Sequence, residues 1–294
     1  MDLWRRADNP WGQDVLIGIS WDLMWAAVVV AAVFLIGHAL WIKTRPAETQ
    51  EASEGGSVPS GIPERIERHS LSARIFHLTM SVSMFALVIT AFAPLMGFRF
   101  PWITVHWMAG VLLIATVVYH IIHAIVWQDF WSMFQIGFGE GMAHLKHIMS
   151  VKAPSPPKAG KYPFDHRMYH HAIVVVTLAA IVTGALMMVR IDTPFWTPNP
   201  YMLPSSVWGV MYVVHGLAGV SLIFLIASHI YFAIRPEKRW ISWSMIRGWV
   251  DREHYLAHHD PEKWVVSGDD SVSSGDSGTG AVADSAVAAR REHD

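Results

Sequence analysis

His106-Trp-Met-Ala-Gly-Val-Leu-Leu-Ile-Ala-Thr-Val-Val-Tyr-His120 returns in altered form as His215-Gly-Leu-Ala-Gly-Val-Ser-Leu-Ile-Phe-Leu-Ile-Ala-Ser-His229. In each run two histidines stand fourteen positions apart with an almost wholly apolar interior. Ala109 and Ala218, Gly110 and Gly219, Val111 and Val220, Leu113 and Leu222, and Ile114 and Ile223 match in register. At about 100° per residue the second imidazole falls within roughly 40° of the first, and about 1.5 Å of rise per residue separates the two by roughly 21 Å. Each run therefore predicts a helix with one face that carries a histidine toward either side of a membrane.

The rest of the chain agrees with that location. Charged residues make up 16% of 294 residues and apolar ones 52%, with fifteen Trp, a balance foreign to a soluble domain of this size. Cys is absent, which excludes disulfides, thiolate-held iron–sulfur clusters and covalent c-type haem attachment, so a redox cofactor must be held through His or Met. The net charge of −2 gives no sign of a nucleic-acid partner.

Five apolar runs are long enough to cross about 30 Å of hydrocarbon: Val15 to Trp41, Arg74 to Leu95, Trp102 to Trp127, Tyr169 to Val189 and Val207 to Ile234. The expected organisation is a polar head and first span over 1–42, a cytoplasmic linker over 43–70, and a four-helix core over 71–234. A cytoplasmic extension over 235–266 and a disordered Gly/Ser/Asp-rich tail over 267–294 complete it. The fold class is all-α, a four-helix membrane bundle with one flanking helix. Trp131 to Met149 mixes Phe, Met, Ile and Leu with Lys and His, a pattern suited to lying along the bilayer surface. The loops 43–74, 127–168 and 235–294 hold 18 Lys and Arg against 4 on the other side. The positive-inside rule then places the N-terminus outside and the C-terminus in the cytoplasm of a multi-pass cell-membrane protein. His106 and His215 lie toward the outer leaflet, and His120 and His229 toward the inner one.

Ionisable side chains inside a span are costly and mark function, and imidazole is a common axial ligand of haem iron. Two facing imidazoles at equal depth on neighbouring helices suit a six-coordinate b haem. Gly110, Gly216 and Gly219 near His106 and His215 fit either a flat macrocycle or close helix packing. The repeat reaches further: His77 is followed by Thr90 thirteen positions on, as His170 is by Thr183, with Val88-Ile89-Thr90-Ala91 set against Ile181-Val182-Thr183-Gly184. Spans two and three thus look like a copy of spans four and five, related by an axis along the membrane normal. At inner depth His77, His120, His170 and His229 are all candidate ligands. A rival use of the same histidines is a proton or metal-ion relay in a transporter.

Arg74-Ile-Phe-His77-Leu, the run from His106 to Gly110, the run from His215 through Ile230-Tyr231, Gly248-Trp249-Val250 and His258-His259-Asp-Pro-Glu-Lys-Trp264 carry a resemblance to a known family. Over about residues 65–266 the chain resembles the dihaem cytochrome b (gamma) subunit of respiratory formate dehydrogenases, related to the cytochrome b of nickel–iron hydrogenases. The resemblance implies two haem b groups carrying electrons between an extracytoplasmic iron–sulfur subunit, with its catalytic oxidoreductase subunit, and the quinone pool. It implies His106 and His215 as outer ligands and His77 and His229 as inner ones, with Arg74 toward a haem propionate. The pseudo-twofold image of the inner pair is His120 with His170, which would be a third haem. Lys161-Tyr-Pro-Phe-Asp-His-Arg167 resembles the stretch that lines the family's quinone pocket, although Pro163 and Asp165 replace its Asn and Gly. Asp165, His166, His170 and His171 are the expected quinone-site residues.

Overall fold

The computed structural model describes residues 3–44, 61–128, 130–149 and 158–266. Most of the linker expected over 43–70, and all of the tail expected over 267–294, lie outside the described residues. The chain is mostly helical, with five helices long and apolar enough to cross a membrane.

Residues that begin the first expected span fold otherwise. Strands β1 (Trp4–Asp8) and β2 (Asp14–Ile19) form an antiparallel hairpin, and helix α1 (Trp21–Lys43) starts only at Trp21. The physical reason is local: Asn9 accepts the backbone N–H groups of Trp11 and Gln13 through its side chain, closing a turn that Gly12 completes at φ 72°. Ser20 then caps α1 by accepting from Leu23 N–H at 3.2 Å, a standard helix start.

The core helices follow: α2 (Leu71–Phe92) after the short strand β3 (Arg65–Glu67), then α3 (Trp102–Trp127), α6 (Phe164–Met187) and α7 (Ser205–Ile234). Ser70 caps α2, while Pro101, Pro163 and Pro204 stand immediately before the other three. Between α3 and α6 run the short helices α4 (Phe130–Phe134) and α5 (Phe138–Met149). α2 packs on α3 and α7, and α6 packs on α3 and α7, so α3 and α7 face each other across a diagonal. Met84, Leu113 and Leu222 form the apolar centre of this bundle. Its outward side chains, such as Ile75, Ile125 and Val175, are exposed, as expected where lipid tails take the place of water.

α1 and β2 both pack on α7. A Cβ at Gly209 would stand 2.8 Å from Leu16, and one at Gly216 would stand 2.9 Å from Ile19. Gly216 therefore makes room for the hairpin, a close-packing role rather than space for a macrocycle. Gly219 has no neighbour within 4 Å of its Cβ direction, and Gly110 makes only ordinary contact with Leu87.

Beyond the end of α7, helix α8 (Arg239–Arg247), strand β4 (Trp249–Asp251) and helix α9 (Arg252–His258) follow. β4 pairs antiparallel with β3, Ile66 opposite Val250, around a small core of Ile66, Val250 and Tyr255. Buried in this cap, Arg68 donates to His259 Nε2 at 3.0 Å and to the Lys161 carbonyl at 3.1 Å. His259 Nδ1 donates to the Gly160 carbonyl at 2.7 Å, so Nε2 carries the lone pair that Arg68 requires.

Burial and the Arg68 guanidinium push His259 down to about 4 from an ordinary 6.5. An unfolded cap binds a proton at pH 5 that the folded cap refuses, so stability falls as pH falls. The His259 contribution is complete above about pH 6.5 and is lost on approach to pH 4. Fluorescence from Trp240 and Trp264, which flank Arg68, should report acid loosening of the cap between pH 6.5 and 4. The same transition in a His259→Gln protein would show that another group is responsible.

Candidate functional site

The bundle brings the histidines together in pairs. His106 from α3 and His215 from α7 meet across the diagonal with ring centres 6.2 Å apart. His77 from α2 and His229 from α7 meet with ring centres 6.3 Å apart. An iron–nitrogen bond of about 2 Å on each side, plus the distance from nitrogen to ring centre, spaces two axial imidazoles about 6 Å apart. Both pairs have that spacing. Along α7, His215 and His229 are separated by the roughly 21 Å that fourteen helical residues span, so the pairs lie toward opposite membrane faces.

The pair His106 and His215 is held in one tautomer by a matched device. Thr90 Oγ1 donates to the Ala86 carbonyl at 2.6 Å and stands 2.8 Å from His106 Nδ1. Thr183 Oγ1 donates to the Ala179 carbonyl at 2.6 Å and stands 2.9 Å from His215 Nδ1. A hydroxyl has one proton, and each is given to the carbonyl one turn back, so each oxygen accepts from its histidine's Nδ1–H. That leaves Nε2 of both rings with a free lone pair, the form a metal ligand needs. Gly184 adds a steric condition, since a Cβ there would stand 3.1 Å from His215 Cε1. The two threonines were visible in the sequence as part of the repeat. Their role was not, because nothing in one helix says which histidine its threonine will meet.

Thr90→Val and Thr183→Val should each keep the fold and weaken haem retention about 10- to 100-fold, the usual cost of removing a partner that orients a metal ligand. Haem released to an apo-acceptor protein over time measures this. Retention equal to that of the unaltered chain would remove the threonines from the site.

Around His229 and His120, at the other end of α7 and α3, the two halves differ in detail. Tyr169 stacks on His229 with ring centres 5.2 Å apart and donates to the Leu225 carbonyl at 2.9 Å. Its repeat counterpart Phe76 stacks on His120 at 4.1 Å and 10°. His170 contacts Phe134 and His171 edge-on, and its Nδ1 is buried without a hydrogen-bond partner. Arg74 donates to the Ile246 carbonyl and thereby ties the start of α2 to the end of α8, while its Nε has no partner.

The four expected quinone-site residues divide. Asp165 faces the cap, 3.6 Å from Lys238, and His166 lies within the electrostatic field of Asp165, Lys238, Arg68 and His229. His170 and His171 turn toward Phe134 of α4 instead, and His171 Nδ1 donates to the Arg167 carbonyl at 2.6 Å. Sequence reasoning missed the partly buried Arg167–Glu140 ion pair that fastens α5 to α6.

A family model described as prokaryotic cytochrome b561 matches residues 68–248, which contain all four bundle helices and both histidine pairs. The chain belongs to the prokaryotic cytochrome b561 family. No curated protein matches it. The cytochrome is accordingly a multi-pass, haem b-binding electron-transfer protein of the membrane, and the two imidazole pairs fit haem iron in spacing and, for His106 and His215, in tautomer. The hairpin, α1, β4 and α9 lie outside the matched residues. Among the described residues no group of three or more His, Asp and Glu could hold a bare metal ion.

Proposed function

We propose that this cytochrome is the membrane subunit of a multi-subunit respiratory oxidoreductase of the formate dehydrogenase gamma type. It carries electrons through two bis-histidine b haems between an extracytoplasmic iron–sulfur subunit, joined to a catalytic subunit, and the quinone pool. The observation that carries the reading is the pair of axial spacings, 6.2 and 6.3 Å, at opposite ends of α7. His106 and His215 hold the outer haem, and His77 and His229 the inner one. His120 and His170 serve as neighbours rather than ligands of a third. Each haem supplies one-electron exchange at its iron. The chain fixes the imidazoles, excludes water by its apolar bundle, and aligns the two sites across the bilayer.

The excess of Lys and Arg in the loops 43–74, 127–168 and 235–294 supports a cytoplasmic C-terminus and an outer N-terminus. Quinone exchange then falls at the cytoplasmic end of α6. A quinone needs a hydrogen-bond partner for each carbonyl and a proton route. Asp165 and His166, beside the inner pair, and His170 and His171, toward α4, supply polar groups at that end.

A reduced-minus-oxidised spectrum of the purified chain tests the electron-transfer reading, which predicts a b-type alpha band and non-covalent haem. Absence of the band sinks it. For the quinone reading, Asp165→Ala and His166→Ala should slow quinol-driven haem reduction at least tenfold. Unchanged rates in both would place exchange elsewhere.

A further inference from the structure

The outer end of the bundle holds a cavity of about 650 Å³ between the hairpin and the start of α7, with Trp11, Tyr201, Trp208, Tyr212 and Arg190 among its walls. Arg190 donates to the Tyr212 hydroxyl. Its guanidinium carbon stands 5.1 Å from the centre of the Trp208 ring and 5.6 Å from that of Tyr212. No described carboxylate forms an ion pair with it. The other cations of the outer side are engaged or turned away. Arg6 pairs with Asp14 at 2.6 Å; Arg5 donates to the Ile19 carbonyl and lies over Trp21; Arg99 is exposed.

Placement along the helices gives Arg190 its meaning. Tyr212 and Trp208 precede His215 by three and seven residues, so both share its face of α7, about 4.5 and 10 Å further out. On the partner side, Arg190 follows Thr183, the hydrogen-bond partner of His215, by seven residues. The Arg190–Tyr212 pair thus stands directly outward of the outer imidazole pair. A planar ligand centred between those imidazoles extends its outer edge toward this cation. A b haem carries two carboxylates on one edge, and an anion in this apolar setting requires charge-assisted hydrogen bonds.

We propose that Arg190, oriented by Tyr212, is the seat of a propionate of the outer haem, with the cavity as that carboxylate's opening to water. This rests on the assignment of His106 and His215 as haem ligands. The same anion chemistry could come from a phospholipid headgroup, and the test separates the two sources.

The purified haem-loaded chain is titrated reductively at the alpha band, and His106→Ala identifies the outer step by its loss. A cation beside a haem favours the reduced, more negative state. Arg190→Gln should therefore move the outer step to lower potential and leave the inner one in place. Arg190→Lys should move it less, and Tyr212→Phe, which keeps the charge and removes its orienting partner, should give a smaller shift of the same step. The latter two carry the test should Arg190→Gln fail to assemble. An unmoved outer step in these variants, or equal movement of both steps, overturns the proposal. Loss of co-purifying phosphatidylglycerol from Arg190→Gln with both steps unmoved assigns the site to lipid and likewise overturns it. A wild-type chain without haem refutes the ligand assignment itself, and this inference with it.

Discussion

Replacing His106 or His215 with alanine is expected to remove one of two b haems, halving haem per polypeptide and abolishing one of two reduction steps. The effect should be near complete for either residue, because the second axial position has no substitute. His106 and His215 are the described histidines that meet across the α3–α7 diagonal, with ring centres 6.2 Å apart. Each is held by its own threonine. A five-coordinate haem left on one imidazole would also bind carbon monoxide, which the six-coordinate form excludes. Full haem content in either variant, measured by pyridine haemochrome against protein, would refute the assignment.

The second large effect is expected at the opposite end of the bundle, where four histidines compete. His77→Ala and His229→Ala should each remove the remaining haem, whereas His120→Ala should keep both. The ring spacing favours His77 with His229, at 6.3 Å. The repeat alone would equally allow its image, His120 with His170. Phe76 lies against the face of His120 at 4.1 Å and nearly parallel, while His170 faces Phe134 and His171 edge-on. Two haems per chain in the unaltered protein is the expected count. Three, with one lost in His120→Ala or His170→Ala, would make the image pair a haem site as well.

His106 and His215 are images of one another in the repeat, so a group held between them would sit on the pseudo-twofold axis. The pair His77 and His229 is not its own image, and a haem held there would sit to one side, nearer α2 and α7. The polar residues offered to a quinone are divided correspondingly, Asp165 and His166 toward the α7 and α8 side and His170 and His171 toward α4. Only the first group shares the edge on which His77 and His229 meet.

The sequence by itself determined the five spans and the two H-x13-H helices. Apolar run length against hydrocarbon thickness, and the helical period, are local properties that need no tertiary partner. It also displayed the internal repeat, and with it the candidacy of His77, His106, His215 and His229. Which histidines meet was decided only by the packing of α2, α3, α6 and α7, because equal depth on two helices does not say whether they are neighbours, diagonal or turned apart. The threonine that fixes each outer tautomer belongs to a different helix from the histidine it serves, and the Arg68–His259 contact joins residues 191 positions apart. The N-terminal hairpin was hidden for another reason. Val15 to Ile19 are as apolar as the helix that follows, and a run so short has no period of its own. Its turn at Asn9 and Gly12, and the notches at Gly209 and Gly216 on α7, decide between strand and helix, and only the folded chain brings strand and notch together.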